Sequence, residues 1–383
     1  MNSRVFYLYG LLLVVFFVPQ NGSAVIRHVC FIVNPASNNG QGVRVWESIH
    51  RAVNRYFTAV GSQDQAAAQV QTTFEVFFTE HAGHATELAA QASFNWQLEQ
   101  ESHLLIVAVG GDGTVHEVVQ GLENQPQVVF GVIPAGEGND IARTLRLRNP
   151  MHALLTLVYG VVMPFGAYKI TGCERGSCER KTVLAVSEFG LGVTTWMTKK
   201  KNDHDSGERP SRLLRYLPPS VAHSMLAVSS AMIWDTPTVR CSINGERFSV
   251  PLNLLVAGTG PTIGGGVALF NGMTPYSCHG QMLFSQQRTN PLWTLIQMTM
   301  EKFLNWSGLQ RFCFTQLDIE HGDETPLSIQ VDGDVLLQTP AQITWLARVF
   351  QFMRPPVYGE YGRTLMDRDE ARDDPDWKEG DSL

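Results

Sequence analysis

The residues most suited to chemistry form the run Gly-Gly-Asp-Gly-Thr at positions 110–114. A glycine turn between a strand and a helix directs backbone N–H groups and the positive end of the helix towards an anion, usually a phosphate. Asp112, in the middle of the run, has a carboxylate that can bind a metal ion or accept a proton. A phosphate-binding turn together with a carboxylate is typical of phosphoryl transfer. A structural turn in an ordinary α/β protein is the alternative.

The sequence around this run also predicts the elements that position it. Short apolar stretches occur at residues 29–33, 74–78, 104–109 and 128–133, each followed by a polar or glycine-rich loop and a helical pattern. Continuous apolar runs of this length indicate strands buried on both faces of a parallel sheet. Four β–loop–α units in a row predict a doubly wound sheet, which binds its ligand at the carboxyl ends of the strands. We therefore expect the four loops to form a nucleotide site at one edge.

The pattern changes at about residue 165 to alternating apolar and polar residues, typical of antiparallel hairpins. One hairpin is predicted around the Asn-Gly turn at 244–245, and one helix near 292–303 interrupts the strands. The sequence thus predicts an α/β protein in two parts. A doubly wound, nucleotide-binding domain occupies residues 25–162, and a mostly antiparallel β-sandwich that binds the substrate occupies residues 163–355.

Composition agrees with a folded protein of this kind. The chain has 383 residues, of which 44% are hydrophobic and 17% charged, enough for two domains with their own cores. Its formal net charge is -7, so a nucleic-acid partner is not expected. The oligomeric state is left open by these features.

Further motifs narrow the function. Three occur in order: Asn-Pro-x-Ser at 34–37, Gly-Gly-Asp-Gly-Thr-x-x-Glu-Val-Val at 110–119, and Pro-x-Gly-x-Gly-Asn-Asp at 134–140. Three more follow: Phe-Gly-Leu-Gly at 189–192, three glycines at 264–266, and Asp-Gly-Asp at 332–334. Together they resemble the diacylglycerol kinase catalytic domain family, which includes bacterial lipid kinases and the sphingosine and ceramide kinases. The resemblance covers about residues 27–355.

This resemblance implies an ATP-dependent lipid kinase that uses Mg²⁺, holds its nucleotide between the two domains and acts on a lipid at a membrane surface. It also implies that the final strand returns to the first domain. Of the two expected acceptors, diacylglycerol is slightly favoured over a sphingoid base. The alternatives are a catalytically weak homologue that binds lipid and a soluble-substrate kinase such as an NAD kinase.

The resemblance also implies roles for three acidic residues. A lipid hydroxyl is a poor nucleophile near neutral pH, so a carboxylate must accept its proton during attack on the γ-phosphoryl group. We expect Asp112 to be indispensable, either by holding Mg²⁺ through a water molecule or as the base. Asp334 is the expected proton acceptor and Asp332 its fallback, although a plain hairpin turn is the alternative for both.

Nucleotide contacts are expected from nine residues of the four loops: Asn34, Thr79, Gly111, Asp112, Gly113, Thr114, Glu117, Glu137 and Asn139. Two of them have structural alternatives, because Thr79 is suited to an N-cap and Glu117 to a capping box. Glu137 stands where relatives commonly carry Thr or Ser. A carboxylate beside phosphates needs Mg²⁺ or a cation such as Arg143. His279 stands where bacterial relatives carry an Asp of a second Mg²⁺ network, so that second site is expected to be absent.

The two ends of the chain look different from the rest. Arg4 precedes an uncharged apolar stretch at 5–18, and small residues follow at 22–24, the layout of a secretory signal. Residues 1–24 are therefore predicted to be either a cleaved signal, which places the protein in the secretory pathway, or a membrane anchor, which we favour. Residues 356–383 are predicted to be a disordered acidic tail.

Overall fold

The computed structural model describes residues 26–59, 72–96, 103–122, 125, 128–175, 177, 179–195, 198, 237–264, 266–270, 273–285, 310–321 and 325–356. Three predicted segments lie outside this part of the chain: the apolar segment at 1–24, the helix near 292–303, and the acidic tail beyond residue 356.

The described elements are five helices and eighteen strands. The helices are α1 Ser37–Tyr56, α2 His84–Trp96, α3 Asp112–Gln120, α4 Asp140–Thr144 and α5 Pro150–Tyr159. The strands of the first half are β1 Ile26–Val33, β2 Thr58–Ala59, β3 Thr73–Phe78, β4 His103–Gly110 and β5 Val128–Pro134. The remaining strands are β6 Val161–Glu174, β7 Arg180–Ala185, β8 Glu188–Gly192, β9 Thr238–Ile243, β10 Glu246–Pro251, β11 Leu254–Gly258, β12 Thr262–Ile263, β13 Val267–Ala268, β14 Gly280–Ser285, β15 Gln310–Phe314, β16 Gln316–His321, β17 Ser328–Val331 and β18 Asp334–Arg354.

The first five strands form a parallel sheet in the order β2-β3-β1-β4-β5. Every residue of β4 from Leu104 to Gly110 is buried, as are the last six residues of β1. The four predicted apolar strands are therefore present, and the helices that follow them supply the rest of the first hydrophobic core. Since all these strands run in one direction, their carboxyl ends share one edge of the sheet.

The antiparallel part of the protein is organised around β18, which has 21 residues. One branch of strands runs β15-β14-β11-β8-β17-β18, and the other joins β10, β9 and β16 to the same strand. In addition, β6 pairs along β18, and β7 pairs with β6. Residues from both branches pack into one second core, which includes Phe189, Leu255 and Ile319. The predicted hairpin between β9 and β10 is present, with Asn244 and Gly245 at positive φ in its turn. The predicted fold class is confirmed.

The end of β18 leaves this antiparallel part and joins the first sheet. Gln351 and Phe352 pair in parallel with Val129 and Phe130 of β5, so the last strand extends the first, parallel sheet. The ring of Phe352 stacks on that of Phe165, with centroids 4.2 Å apart. The return of the final strand that the family resemblance implied is confirmed, and it ties the two parts together.

The expectation that the protein is held at a membrane by its N-terminal segment needs correction. Among the helices within the described residues, none has both the length and the apolar character required to cross a membrane. The segment on which the expectation rested, residues 1–24, lies outside the described part of the chain.

Candidate active site

The loops after β1, β4 and β5 meet at the carboxyl edge, as predicted. The backbones of Gly111 and Gly136 are in close contact. A Cβ atom on Gly136 would lie 2.4 Å from the Cα atom of Gly111, and a Cβ atom on Gly111 would lie 3.0 Å from the Cα atom of Gly136. The hydroxyl of Ser37 donates to the carbonyl of Ala135 at 3.1 Å, and the amide of Ala135 donates to the carbonyl of Gly110 at 2.8 Å. The three loops therefore form one connected surface, and the close approach of the Gly111 backbone requires glycine at position 136.

Two of the predicted nucleotide contacts, Asn34 and Thr114, bind each other. The side-chain NH₂ group of Asn34 donates to the hydroxyl of buried Thr114 at 2.9 Å. The side-chain oxygen of Asn34 accepts from the backbone amide of Ala36 at 3.0 Å. These bonds join the loop after β1 to the start of α3 across the edge of the sheet. They position the glycine turn, so a direct contact of these two side chains with a nucleotide stays a proposal.

The side chains of Asn139 and Glu117 also bind backbone groups near the edge of the sheet. Asn139 has a φ of 53°, and its side-chain amide both donates to and accepts from the backbone of Gly136, at 2.8 and 2.9 Å. Glu117 accepts from the amide of Ala85 at 3.3 Å, near the start of α2. The predicted capping role of Glu117 is thus seen on a neighbouring helix and not on its own. Thr79 follows β3 directly and is buried, with its amide bonded to the carbonyl of Val33 at 2.9 Å.

Exposed groups of the site lie around the glycine turns. Gly113 has open space around its Cα, and Glu137 is exposed on the loop after β5. Arg143 does not pair with Glu137. Its guanidinium contacts the carbonyl of Gly138 and lies 3.4 Å from the carboxylate of Asp140. The Arg143 guanidinium therefore does not neutralise the charge of the Glu137 carboxylate.

The carboxylate of Asp112 lies among other acidic groups. It accepts a hydrogen bond from the amide of Ile141 at 3.3 Å, at the start of α4. Burial raises the pKa of Asp112, and the charges of Asp140 and, more weakly, Asp332 raise it further, although hydrogen bonds from the α4 backbone oppose the shift. A carboxylate in this environment is stabilised by a proton or a cation.

Asp332 is fully engaged in hydrogen bonds. Its carboxylate accepts from the amides of Val186, Ser187 and Glu188 at 2.8–3.0 Å, and from Nδ1 of His116 at 2.8 Å. The residue is buried and has a φ of 47°, which places it in the turn before β18. These four bonds use the lone pairs that a proton acceptor needs, so the geometry favours a structural role over the fallback catalytic one. Asp334, two residues later, is exposed.

His116 connects α3 of the first part to this turn. Burial of its ring disfavours the charged form, but the hydrogen bond and charge of Asp332 outweigh burial, so the pKa of His116 is raised above 6.5. Gln120, one helical turn later, bonds to both the amide and the carbonyl of Leu184 in β7, at 3.0 and 2.8 Å. The helix that begins with Asp112 is thereby fixed to the antiparallel part.

Glu188 is a site residue that the sequence analysis missed. It is the first residue of β8, directly before the Phe-Gly-Leu-Gly motif, and it lies near the charges of Asp140, Asp332 and Asp112. An ionisable residue at the start of an otherwise apolar strand is the only sequence signal for it. Burial, followed by these charges, raises the pKa of Glu188 to about 7, whereas a hydrogen bond from Gln330 lowers it.

Among the described residues, His81, His84 and Glu87 form a group whose ligand atoms lie within 4.8 Å of one another. The two imidazole rings stack with centroids 4.7 Å apart. However, Nδ1 of His84 accepts from the amide of Glu80 at 3.1 Å, so the neutral ring carries its proton on Nε2 and has no lone pair left for a metal. The hydrogen bond favours a role in starting α2.

The described fold thus has two parts, and a glycine-rich edge of the first part faces an acidic turn of the second. Residues 28–170 match the diacylglycerol kinase catalytic domain family, which confirms the resemblance seen in the sequence.

Comparison with individual proteins agrees. The chain is 24% identical over 328 residues to YtlR, a candidate lipid kinase of Bacillus subtilis, covering 83% of this chain and 96% of YtlR. It is 39% identical over 114 residues to a diacylglycerol kinase of Bacillus subtilis, covering 27% of this chain and 36% of that protein. It is 33% identical over 170 residues to sphingoid long-chain bases kinase 1 of Arabidopsis thaliana, covering 43% of this chain and 19% of that protein.

A solved structure has the same fold. A crystal structure of a diacylglycerol kinase from Bacillus anthracis superposes with a TM-score of 0.61 at 18% identity, covering 86% of this chain and 98% of that chain. This likeness extends across both the parallel and the antiparallel parts and supports the two-part α/β architecture.

Proposed function

We propose that the protein is an ATP-dependent lipid kinase that transfers the γ-phosphoryl group of ATP to a lipid hydroxyl. The observation that carries this proposal is the placement of Asp112. This carboxylate stands at the glycine turn that suits phosphate, among acidic groups from both parts of the protein. Phosphoryl transfer requires such a meeting of phosphate-binding backbone and carboxylate.

The phosphates of ATP would lie against the turn at 110–114, where Gly113 is exposed and the N-terminal end of α3 begins. Mg²⁺ fits the donor set there, because carboxylate oxygens are the ligands that hard cations prefer and none of the described Lys or Arg residues forms an ion pair with Asp112. Asp112, directly or through water, and Glu137 would hold it. When bound, Mg²⁺ neutralises charge that develops on the transferred group. The exposed His279 offers no oxygen ligand, so no second magnesium site is proposed.

The remaining predicted contacts keep supporting roles in this proposal. Asn34 and Thr114 hold the glycine turn in place, while Thr79 lies at the end of the adjacent strand. Asn139 shapes the loop after β5, and Glu117 holds the start of α2 against α3. These residues preorganise the nucleotide site whether or not their side chains touch ATP.

Diacylglycerol and a sphingoid base are the proposed acceptors, with diacylglycerol slightly ahead. Support for diacylglycerol comes from Gly113-Thr114 and Asn139-Asp140, which resemble the diacylglycerol kinase and bacterial branches of the family. The His-Glu-Val-Val run at 116–119 is also similar to the sphingosine kinase branch.

A direct assay tests the proposal. Purified protein is incubated with labelled ATP, Mg²⁺ and mixed micelles that contain either dioleoylglycerol or sphingosine. A phosphorylated lipid in one arm supports the proposed function and identifies the acceptor. ATP binding without any phosphorylated product would contradict it and favour the catalytically weak, lipid-binding homologue.

A further inference from the structure

The helix α4 ends in a Schellman motif that carries arginine at the position where glycine is usual. The amide of Leu147 donates to the carbonyl of Ala142 at 2.8 Å, and the amide of Arg146 donates to the carbonyl of Arg143 at 2.9 Å. Arg146 has a φ of 61°, the left-handed conformation that this motif requires. A residue with a Cβ atom is disfavoured in that conformation, so the side chain of Arg146 is kept at a cost to stability. Strain of this kind points to a function of the side chain.

The motif leaves the arginine side chains of this segment on the surface. Leu145 and Leu147 are buried in the first hydrophobic core, whereas Arg146 and Arg148 are exposed. Arg143, one helical turn before Arg146, is exposed as well. The buried leucines therefore anchor the segment and leave its three cationic residues outside. We refer to Arg143, Arg146 and Arg148 as the arginine cluster.

Few acidic residues oppose the arginine cluster in the sequence. Between Asp140 and Glu174 the chain has no Asp or Glu. Asp140 is buried and lies 3.4 Å from the Arg143 guanidinium, so it offsets the charge of Arg143 more than that of the other two arginines. Glu137, on the preceding loop, is the residue proposed above to hold Mg²⁺. The cluster is thus a local positive surface on a chain with a formal net charge of -7, and it favours the approach of an anionic surface from that side.

The arginine cluster also lies next to the proposed active site. α4 begins where the amide of Ile141 donates to the carboxylate of Asp112 at 3.3 Å. A helix of five residues spans about 7.5 Å, so the cluster at its far end stays close to the glycine turn. The hairpin of β12 and β13 reaches the same place from the antiparallel part, because a Cβ atom on Gly266 would lie 3.3 Å from Cζ of Arg143. The cluster therefore adjoins both parts of the protein.

The chemistry of the cluster fits the head groups of anionic lipids. A lipid acceptor lies in a bilayer, so a kinase that acts on it must bring its site to the plane of the head groups. Anionic lipids present phosphate oxygens in that plane. Guanidinium groups stay charged at physiological pH and donate hydrogen bonds to phosphate in a planar fork. Each arginine beside an anionic leaflet strengthens binding by about 1 kcal/mol, which is about fivefold.

We propose that the arginine cluster is a docking surface for the anionic head groups of a membrane, an inference that rests on the proposed lipid kinase function. Docking brings the head groups against the end of α4 and the glycine turn close to a lipid of the same leaflet. The contact is peripheral and electrostatic, so it requires no membrane-spanning segment and weakens as salt screens the charges.

Vesicle sedimentation tests this surface. Wild type and variants, all as the full chain, are sedimented with vesicles of phosphatidylcholine alone and with vesicles of phosphatidylcholine mixed with phosphatidylglycerol. The ratio of the two partition coefficients measures the preference for anionic lipid, and apolar contacts common to both vesicles cancel in it. The double variant R146E/R148E should lower this ratio by about tenfold or more, since each arginine contributes about fivefold. Arg247→Glu, an exposed change of the same charge on β10, is the matched control and should leave the ratio within about twofold of wild type.

Two changes at position 146 separate docking from folding. Arg146→Gly removes the charge and relieves the left-handed backbone, so the ratio should fall by about fivefold while the thermal midpoint stays or rises. Arg146→Lys keeps both the charge and the strained conformation, so its ratio should stay within about twofold of wild type. Because binding and stability are expected to move in opposite directions in Arg146→Gly, a loss of folding does not imitate a loss of docking.

Activity gives a second readout with whichever of dioleoylglycerol or sphingosine the wild type phosphorylates. R146E/R148E should lose activity on anionic vesicles roughly in proportion to its lost binding. Its kcat/KM in uncharged detergent micelles should stay within about twofold of wild type, because the cluster is placed outside the reacting groups.

The outcomes separate this inference from the proposed function. Equal ratios for wild type and R146E/R148E, or a wild-type ratio near one, would overturn the docking surface. Arginine-dependent binding to a single-stranded RNA without any effect on the vesicle ratio would also overturn it and assign the cluster to nucleic acid. A wild type that binds anionic vesicles through the cluster but phosphorylates neither lipid would defeat the proposed function while confirming the docking surface.

Discussion

Nδ1 of His116 lies 2.8 Å from Oδ2 of Asp332, although the two residues are 216 positions apart in the chain. The contact joins the helix that begins with Asp112 to the turn before β18. Because the same aspartate also accepts three backbone amides, one carboxylate fixes α3, the start of β8 and the final strand relative to each other. The geometry of the proposed active site depends on this residue.

Asp332→Ala is expected to lower the free energy of unfolding by about 3–5 kcal/mol, because it leaves buried amides and a buried imidazole without their acceptor. Denaturant unfolding measures this change. Asp334→Ala is the matched control, and its exposed position predicts a change within about 0.5 kcal/mol. Equal stabilities for the two variants would contradict the structural role of Asp332.

The His116–Asp332 pair predicts a pH-dependent contribution to stability. Asp332 raises the pKa of His116 in the folded protein above 6.5, so folded protein binds the proton more tightly than unfolded chain. The contribution is therefore fully present below pH 6.5 and is lost as pH rises through the raised pKa. The stability difference between wild type and His116→Gln should be larger at about pH 5.5 than at about pH 9.

Denaturant titrations of both proteins across this range measure that difference. A His116→Gln difference that is constant with pH would show that the pair does not titrate as described.

Asp112→Asn is expected to lower turnover by at least about a hundredfold, the usual scale for losing an acid–base or metal-positioning carboxylate. The substitution is nearly isosteric and removes charge from an acidic cluster, so the fold should survive. Steady-state kinetics measure the loss of turnover, and a thermal melt tests whether the variant still folds. Asp318→Asn on β16 is the control, and activity of Asp112→Asn within a few-fold of this control would mean that the site is wrongly assigned.

Glu137→Thr is expected to raise the Mg²⁺ concentration needed for half-maximal activity. Glu137 is exposed on the loop after β5, and Arg143 is engaged with Asp140 and Gly138, so a bound cation is what reconciles this carboxylate with phosphates. Titration of activity against Mg²⁺ at fixed ATP measures the effect, with Glu179→Thr as control. Tighter ATP binding without a new Mg²⁺ demand would show that Glu137 is only tolerated there.

The sequence by itself determined the parallel sheet and the place of its loops. The strands β1, β3, β4 and β5 follow from apolar runs, and the turns at 110–114 and 134–140 follow from their glycines. Both signals are local, because strand burial on two faces demands an uninterrupted apolar stretch and a tight turn demands residues that fit it. The order of the units then places all loops at one edge.

The tertiary structure alone decided what each polar side chain does at that edge. Asn34 binds Thr114, Glu117 bonds to the start of α2, and Asp332 accepts from His116, and none of these partners was predicted from the sequence. Glu188 entered the site only when β8 was placed beside the turn before β18. The reason is physical: hydrogen-bond partners and desolvation depend on groups that folding brings together from distant positions, and a local pattern of residue types does not contain them.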